Sequence, residues 1–547
     1  MPILSTLINR LLRLPPAETQ DLVVERDLRV PMRDGTTLLA DRYAPRGAGG
    51  LPTLLVRSPY GRANFFGWIF ARPFAERGFQ VLIQSCRGTF GSGGEFDAFR
   101  NEERDGLDTV AWLERQPWFA GSFATLGPSY LGHVQWALAA GAGPSLKARC
   151  LHITTANMRD LVYPGESFGL DTALTWIQQV GHQEDGFWRG LLAGRRRAKE
   201  LAEAAMRLPL READLVAAGK PVSFYRDWLD HNQPGDPWWA PIDFSGAADQ
   251  IEAPALLIAG WYDIFLPYQL EDYARLRQAG QQPYLTIGPW AHTSPPMIPP
   301  LIRESLAWLR AHLLGRADEL RAAPVRVFVM GSKRWAEFPD WPPPGYAPQR
   351  WHLQPARGLA PAPAGAVASA PDRYRFDSAQ PTPAVGGSSL SANAGPKDNR
   401  SVEARPDVLV YTSAPLERDT EVIGPVEAEI FLTSSLEHTD VFVRLCDVDP
   451  KGRSVNISDG LTRLAPGRPE IGADGIWRVR VELWATAHCF KRGHRIRVQV
   501  AGGSHPRFAR NPGSGEPLAS ATTLLAAEHA IYHDPDHPSA IILPVKG

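Results

Sequence analysis

The sequence predicts an α/β protein in three parts: a mostly parallel sheet with helices on both faces, a helical insertion inside it, and an antiparallel β-sandwich after it. Three observations carry this reading. Short apolar runs alternate with amphipathic helical runs through residues 21–155 and again through 254–314, the pattern of a parallel sheet. Residues 157–245 change to long helical stretches rich in Ala, Leu, Trp and Arg, with strand signals nearly absent. From Pro324 on, period-2 alternation takes over, best in Trp477, Val479, Val481 and Leu483 with Arg478, Arg480 and Glu482 between them. The expected division is therefore 1–156 for the first part of the core, 157–245 for a helical cap, 246–323 for the second part of the core and 324–547 for the terminal sandwich.

Taken in order, residues 21–46 alternate around Met32-Arg33-Asp34-Gly35, a β-hairpin signature. A buried strand at 53–56 runs into the turn Arg57-Ser58-Pro59-Tyr60-Gly61-Arg62. A strand at 79–83 leads to the glycine-rich loop 87–94. No G-K-[ST] follows that loop and no basic residue is expected to face it, so loop geometry explains it better than a phosphate cradle does. A helix is expected over 105–115, and a strand at 123–126 that turns through Gly127-Pro128-Ser129-Tyr130 straight into another helix. A further strand lies around 150–154, and cap helices cover 172–180 and 189–207. The strand at 255–259 ends in Gly260-Trp261-Tyr262-Asp263, a helix covers 266–279, and the strand at 283–287 ends in Gly288-Pro289-Trp290-Ala291-His292. An amphipathic helix over 301–314 closes the core. Residues 355–395 are rich in Ala, Pro, Gly and Ser and are expected to wrap the surface.

Length and charge narrow the function classes. A chain of 547 residues exceeds one hydrophobic core. Lys+Arg 58 against Asp+Glu 59 leaves a net charge of −1, which does not suggest a nucleic-acid or anionic-membrane partner. No run of 18 apolar residues is present, so no membrane span is expected. Cys86, Cys150, Cys446 and Cys489 lack C-x-x-C spacing; they read as buried thiols rather than a disulfide framework or a metal site, in a reducing, cytoplasmic setting. Ile3, Leu4, Leu7, Ile8, Leu11 and Leu14 recur at helical spacing, which reads as an amphipathic helix docked on the body or on a partner rather than a signal peptide, with membrane-surface contact a minor option. Oligomeric state is left open, a homo-oligomer included.

The chemistry gathers at strand ends. A serine on a sharp strand-to-helix turn projects its Oγ from the sheet, and the next backbone N–H points where an oxyanion would form. Ser129 occupies such a turn, with Gly127 and Gly132 where side chains would crowd it. A helix-capping serine reads the same way locally. A nucleophilic serine needs a base, and the base needs an orienting group; on α/β sheets the chain order is Ser, Asp/Glu, His. Asp263 and His292 follow in that order, each just past a strand. Individually they also fit a turn aspartate and a loop histidine. The Tyr130 N–H is the expected first oxyanion donor and the Tyr60 hydroxyl the expected second, although Tyr60 also fits a packed turn aromatic.

These motifs carry a resemblance. Arg57-Ser-Pro-Tyr60-Gly, Cys86-Arg-Gly88, Gly127-x-Ser129-Tyr130-x-Gly132 with Gln135-Trp136, Gly260-Trp-Tyr-Asp263 and Gly288-Pro-Trp-x-His292 resemble the cocaine esterase/X-prolyl dipeptidyl peptidase superfamily of serine hydrolases, in the same order along the chain. The resemblance implies an α/β-hydrolase core, a helical cap and a C-terminal jelly roll. It implies Ser129 as nucleophile, His292 as base and Asp263 as orienter, with Tyr60 and Tyr130 forming the oxyanion hole. By position it implies Trp176 and Phe265 as acyl-pocket aromatics. The triad chemistry needs no metal or organic cofactor. Ser85 stands where the family usually has the Asp of Asp-x-Arg-Gly, which puts a supporting contact in question. Ile264, Phe265 and Leu266 stand where the amino-ester hydrolase branch carries carboxylates, which argues against an α-amino substrate.

The function expected is hydrolysis of a small-molecule carboxylic ester through an acyl-enzyme. An amidase, acylase or Xaa-Pro dipeptidyl-peptidase is the enzymatic alternative. An inactive core with a ligand-binding sandwich is the non-enzymatic one.

Overall fold

The computed structural model describes residues 2–185, 187–365 and 369–547. Contacts divide it into two compact units. The first comprises the chain up to Met158, Pro237–Gly260 and Tyr268–Val325; the second comprises Arg159–Asp236, Trp261–Pro267 and Arg326–Gly547.

The first unit is built on strands β1 (Leu22–Pro31), β2 (Thr37–Pro45), β3 (Thr53–Ser58), β4 (Gln80–Ser85), β5 (Phe123–Pro128), β6 (Leu146–His152), β7 (Ala255–Tyr262, whose last two residues count with the second unit) and β8 (Tyr284–Ala291). Their order in the sheet is β1-β2-β4-β3-β5-β6-β7-β8. β1/β2 and β2/β4 are antiparallel, whereas β4, β3, β5, β6 and β7 pair in parallel, as the alternation of elements predicts. The central strands are almost continuously buried, so their apolar residues come in consecutive runs rather than alternating, with buried polar residues at the ends of β3 and β4. The expected hairpin is present: Gly35 takes φ 84°, and its N–H donates to Met32 O at 3.0 Å. Strand β8 continues four residues past its expected end, so Gly288-Pro289-Trp290-Ala291 is strand and His292 follows it directly.

Helices connect the parallel strands. Glu102–Glu114 follows β4, Tyr130–Ala139 follows β5, Leu266–Gln278 follows β7 and Ile298–Leu314 follows β8. The N-terminal segment is helical over Pro2–Leu12, and Asn9 Nδ2 donates to Glu76 Oε2 at 2.9 Å, which docks it on the core. The glycine-rich loop after β4 is an internally bonded turn. A Cβ at Gly88 would meet Phe96 N at 2.2 Å, so only glycine fits there. One expectation is corrected: a basic residue does face this loop. Arg62 donates to Phe90 O at 2.7 Å, to Ser85 Oγ at 3.0 Å and to Asp41 Oδ1 at 3.0 Å. With its donors on a carbonyl, a hydroxyl and a carboxylate, Arg62 braces the loop, and Ser85 has a defined partner.

In the second unit, residues 159–236 are helical, with Leu170–Gly181, Phe187–Met206 and Ser223–Asp230 as the longer helices. They pack with the C-terminal region: Asp171 N–H donates to Pro506 O at 2.9 Å, and Ser389 Oγ donates to Asp171 Oδ2 at 2.5 Å. From Tyr346 on, the long strands pair antiparallel, Thr420–Ser434 with Trp477–Phe490 and Thr439–Val448 with Ser454–Leu464. A bulge between Gly424 and Val426 interrupts the longest ladder. Val408, Phe442, Leu461, Ala501 and Phe508 form one of its apolar clusters. Among the described residues, no helix is long and apolar enough to cross a membrane.

Candidate active site

The turn after β5 is conformationally unusual. Ser129 takes φ 58° and ψ −122° between the end of the strand and the helix Tyr130–Ala139. A non-glycine residue held there stores roughly 1–3 kcal/mol of backbone strain, which persists only where the surroundings over-determine it. Here they do. Ser129 N–H donates to His152 O at 2.9 Å, and Ser129 O accepts from Gly132 N–H at 2.9 Å and from Thr154 Oγ1 at 2.8 Å. The two glycines are required by close approach. A Cβ at Gly127 would meet Leu131 Cβ at 2.4 Å, and one at Gly132 would meet Thr154 Cβ at 2.4 Å. Tyr130 is the first helical residue, so its N–H lies ahead of the i→i−4 ladder, at the helix's positive end.

His292 Nε2 lies 3.2 Å from Ser129 Oγ, although 163 residues separate them in sequence. That is hydrogen-bond reach for a nucleophile and its base. Two other histidines near the turn are unsuited to this role. His133 is fully buried, its pKa pushed down to about 4 by burial, and its Nδ1 is 2.9 Å from Thr155 O. His152 is also fully buried, pushed down to about 3 by burial, with Nε2 2.8 Å from Ser305 Oγ. Both stay neutral, and their nitrogens face inward.

Asp263 follows β7 directly and is 1% exposed. It lies in the second unit, where Trp261 Nε1 donates to Phe328 O at 2.7 Å and Tyr262 OH donates to Asn456 O at 3.1 Å. Asp263 Oδ1 accepts the Phe265 N–H at 2.8 Å, which turns the chain into the next helix. Phe265 itself is buried. Trp176, on the helix Leu170–Gly181, is half-buried and stacks on Trp228 at 5.9 Å between ring centroids. Tyr60 is half-buried in the turn after β3, its N–H on Ser58 Oγ at 3.0 Å, and its ring meets that of Tyr130 edge-on at 6.4 Å.

Two supports have contacts that sequence reading does not show. Gln135 is 2% exposed; its Nε2 donates to Leu131 O and Cys150 O, both at 3.0 Å, and its Oε1 accepts from Thr125 Oγ1 at 2.9 Å. It ties the turn to β5 and β6. Glu102 is 3% exposed and pairs with Arg57 at 2.9 Å, whereas the adjacent Glu103 is exposed. Nothing local distinguishes the two glutamates.

Comparison with known proteins gives two family matches. The family described as X-Pro dipeptidyl-peptidase (S15 family) matches residues 34–294, and that described as X-Pro dipeptidyl-peptidase C-terminal non-catalytic domain matches residues 320–542. The chain is 31% identical to cocaine esterase of Rhodococcus sp. (strain MB1 Bresler), over 95% of this chain and 98% of that protein. In fold it is similar to an aminopeptidase from a marine sediment archaeon, Thaumarchaeota archaeon, with TM-score 0.80 at 21% identity, covering 97% of this chain and 98% of the other. It is likewise similar to an α-amino acid ester hydrolase, with TM-score 0.79 at 20% identity and the same coverage.

Proposed function

Because the chain belongs to the cocaine esterase family, we propose that it is a serine hydrolase that opens carboxylic esters through an acyl-enzyme on Ser129. One observation carries this reading: the hydroxyl on the strained turn stands 3.2 Å from a histidine nitrogen. Ser129 Oγ attacks the ester carbonyl while His292 Nε2 takes its proton. Asp263 orients the imidazole and stabilises the cation that forms on it. The carbonyl oxygen, now an oxyanion, is received by the Tyr130 N–H and the Tyr60 hydroxyl. His292 returns the proton to the leaving alcohol, and water then repeats the sequence on the acyl-enzyme. These steps need no metal or organic cofactor.

The acyl group we expect is uncharged. Ile264, Phe265 and Leu266 offer no carboxylate for an ammonium group, and Phe265 and Trp176 are the aromatic surfaces assigned to the acyl pocket. We read residues 157–245 as a cap and 324–547 as a jelly roll. The four cysteines are all free and buried, which supports a reducing, cytoplasmic location.

The peptidase-family match keeps amide cleavage as a second reading. Turnover of short aryl esters against Xaa-Pro anilides separates the two. We expect the esters to be faster, and faster anilide turnover would overturn the esterase assignment. A fluorophosphonate should label the protein at Ser129, and Ser129→Ala should abolish the signal. Absence of both labelling and ester hydrolysis would instead favour a non-catalytic binding protein.

A further inference from the structure

Two oxyanion donors work together only at a fixed separation. Here they come from different elements, Tyr60 from the turn after β3 and Tyr130 from the helix after β5. The backbone ladder between those strands stops short of the site. β3 and β5 pair from Thr53↔Phe123 to Leu55↔Thr125. Tyr60 and Tyr130 each lie five residues beyond the last pair.

A chain of buried side chains bridges the region past that ladder. Tyr130 OH donates to Glu102 Oε1 at 2.7 Å and accepts the Phe99 N–H at 3.1 Å. Glu102 Oε2 lies 2.9 Å from Arg57 Nη2, their side chains 4% and 1% exposed. Arg57 is on β3, beyond the last β3–β5 pair and three residues ahead of Tyr60. It also donates Nη1 to Glu102 O at 2.9 Å and Nε to Gln84 Oε1 at 2.9 Å. Burial pushes the Tyr130 phenol well up, and the Glu102 charge adds to this, so the phenol remains a donor. Burial opposes the Arg57 charge, but Glu102 outweighs it together with weaker neighbours, and its pKa is raised. A charged pair in a dry interior keeps a defined geometry because each departure leaves a buried charge unpaired.

We propose that Arg57, Glu102 and the Tyr130 hydroxyl form a positioning chain that sets the separation of the two oxyanion donors. The proposal rests on the acyl-enzyme reading above. None of these three groups meets the reacting atoms. Each acts through the Tyr130 N–H or through the end of β3.

Two mild variants test it. Tyr130→Phe removes one hydroxyl and keeps the ring; Glu102→Gln keeps the shape and removes the charge. In each, kcat for a short aryl ester should fall by about 10- to 100-fold per fluorophosphonate-titrated site, with KM and the pH profile unchanged. An aryl trifluoromethyl ketone, which forms a hemiketal oxyanion on the serine, should bind more weakly by the same factor. The double variant should be no worse than the more affected single variant, because the groups act as a unit. Unchanged kcat per titrated site, ketone affinity that does not follow kcat, or multiplicative effects in the double variant would overturn the proposal and leave a purely structural role. Failure of the unaltered protein to label or to hydrolyse the ester is a distinct result, seen before any variant is made, and it removes the acyl-enzyme reading together with this one.

Discussion

His292 Nε2 and Ser129 Oγ lie 3.2 Å apart at the ends of two different strands, β8 and β5. On the acyl-enzyme reading proposed above, that approach is what activates the strained serine. Replacing the imidazole should therefore remove nearly all ester turnover while sparing the fold. We expect His292→Ala to lower kcat by roughly 10⁴-fold or more, with the thermal midpoint little changed because the residue is only half-buried. Steady-state kinetics beside a melting curve checks this; residual activity within about tenfold of the parent would exclude His292 as the base.

Gly132 should tolerate no side chain. Its Cβ would meet Thr154 Cβ at 2.4 Å, and Thr154 also donates to Ser129 O. Gly132→Ala should lose about 1–3 kcal/mol by overpacking and disturb the turn as well. Gly194 is the contrast: it lies within the helix Phe187–Met206, and among the described residues a methyl group there would meet nothing within 4 Å. Gly194→Ala should gain up to about 1 kcal/mol through helix propensity. Urea midpoints of the two variants should move in opposite directions.

Gln135 places an amide where a carboxylate would fail. Its Nε2 faces three carbonyl oxygens, those of Gly127, Leu131 and Cys150. Gln135→Glu keeps the size but sets a buried carboxyl among acceptors, which disfavours its ionised form and raises its pKa. The variant should be less stable than the parent by at least about 1–3 kcal/mol. Its deficit should widen as pH rises, since ionisation then becomes a cost borne by the folded state alone. Melting temperatures in mildly acidic and mildly alkaline buffer read this directly, and a constant deficit would show that the carboxyl has found a donor.

Asp272 should give the fold a pH dependence of its own. Its carboxyl is fully buried, accepts the Ala156 N–H at 2.9 Å, and is pushed up from 3.8 to about 7 by burial. The folded state then holds a proton that the unfolded chain releases earlier. Stability should fall as pH rises from about 4 through about 7 and level off above that range. Asp272→Asn should flatten this slope, as measured by denaturant titrations across the interval; an unaltered slope would place its origin elsewhere.

Much of the fold and the site is legible in sequence because the signals are local. Alternating apolar and helical runs predict the parallel core strands. The stretch from Phe123 to Ala139 shows strand, turn and helix in immediate succession. Gly127 and Gly132 are readable as close-approach positions because the turn itself demands them. The glycine-rich loop is only half legible. Its internal geometry follows from its glycines, but Arg62, which braces it, stands 25 residues ahead of Arg87 in no recognisable pattern with the loop.

The sequence by itself determined the order of elements, the class of the core sheet and the residue types at its strand ends, because apolar periodicity and turn chemistry act over a few residues at a time. Only the tertiary structure decided three further things. It brought His292 to Ser129 across 163 positions. It chose Glu102 over Glu103 for burial against Arg57. It anchored the Asp263 segment through Trp261 to Phe328 and through Tyr262 to Asn456. The physical reason is the same in each case. The worth of a charge, a hydroxyl or an imidazole depends on which partners reach it in a water-poor interior, and those partners come from distant parts of the chain.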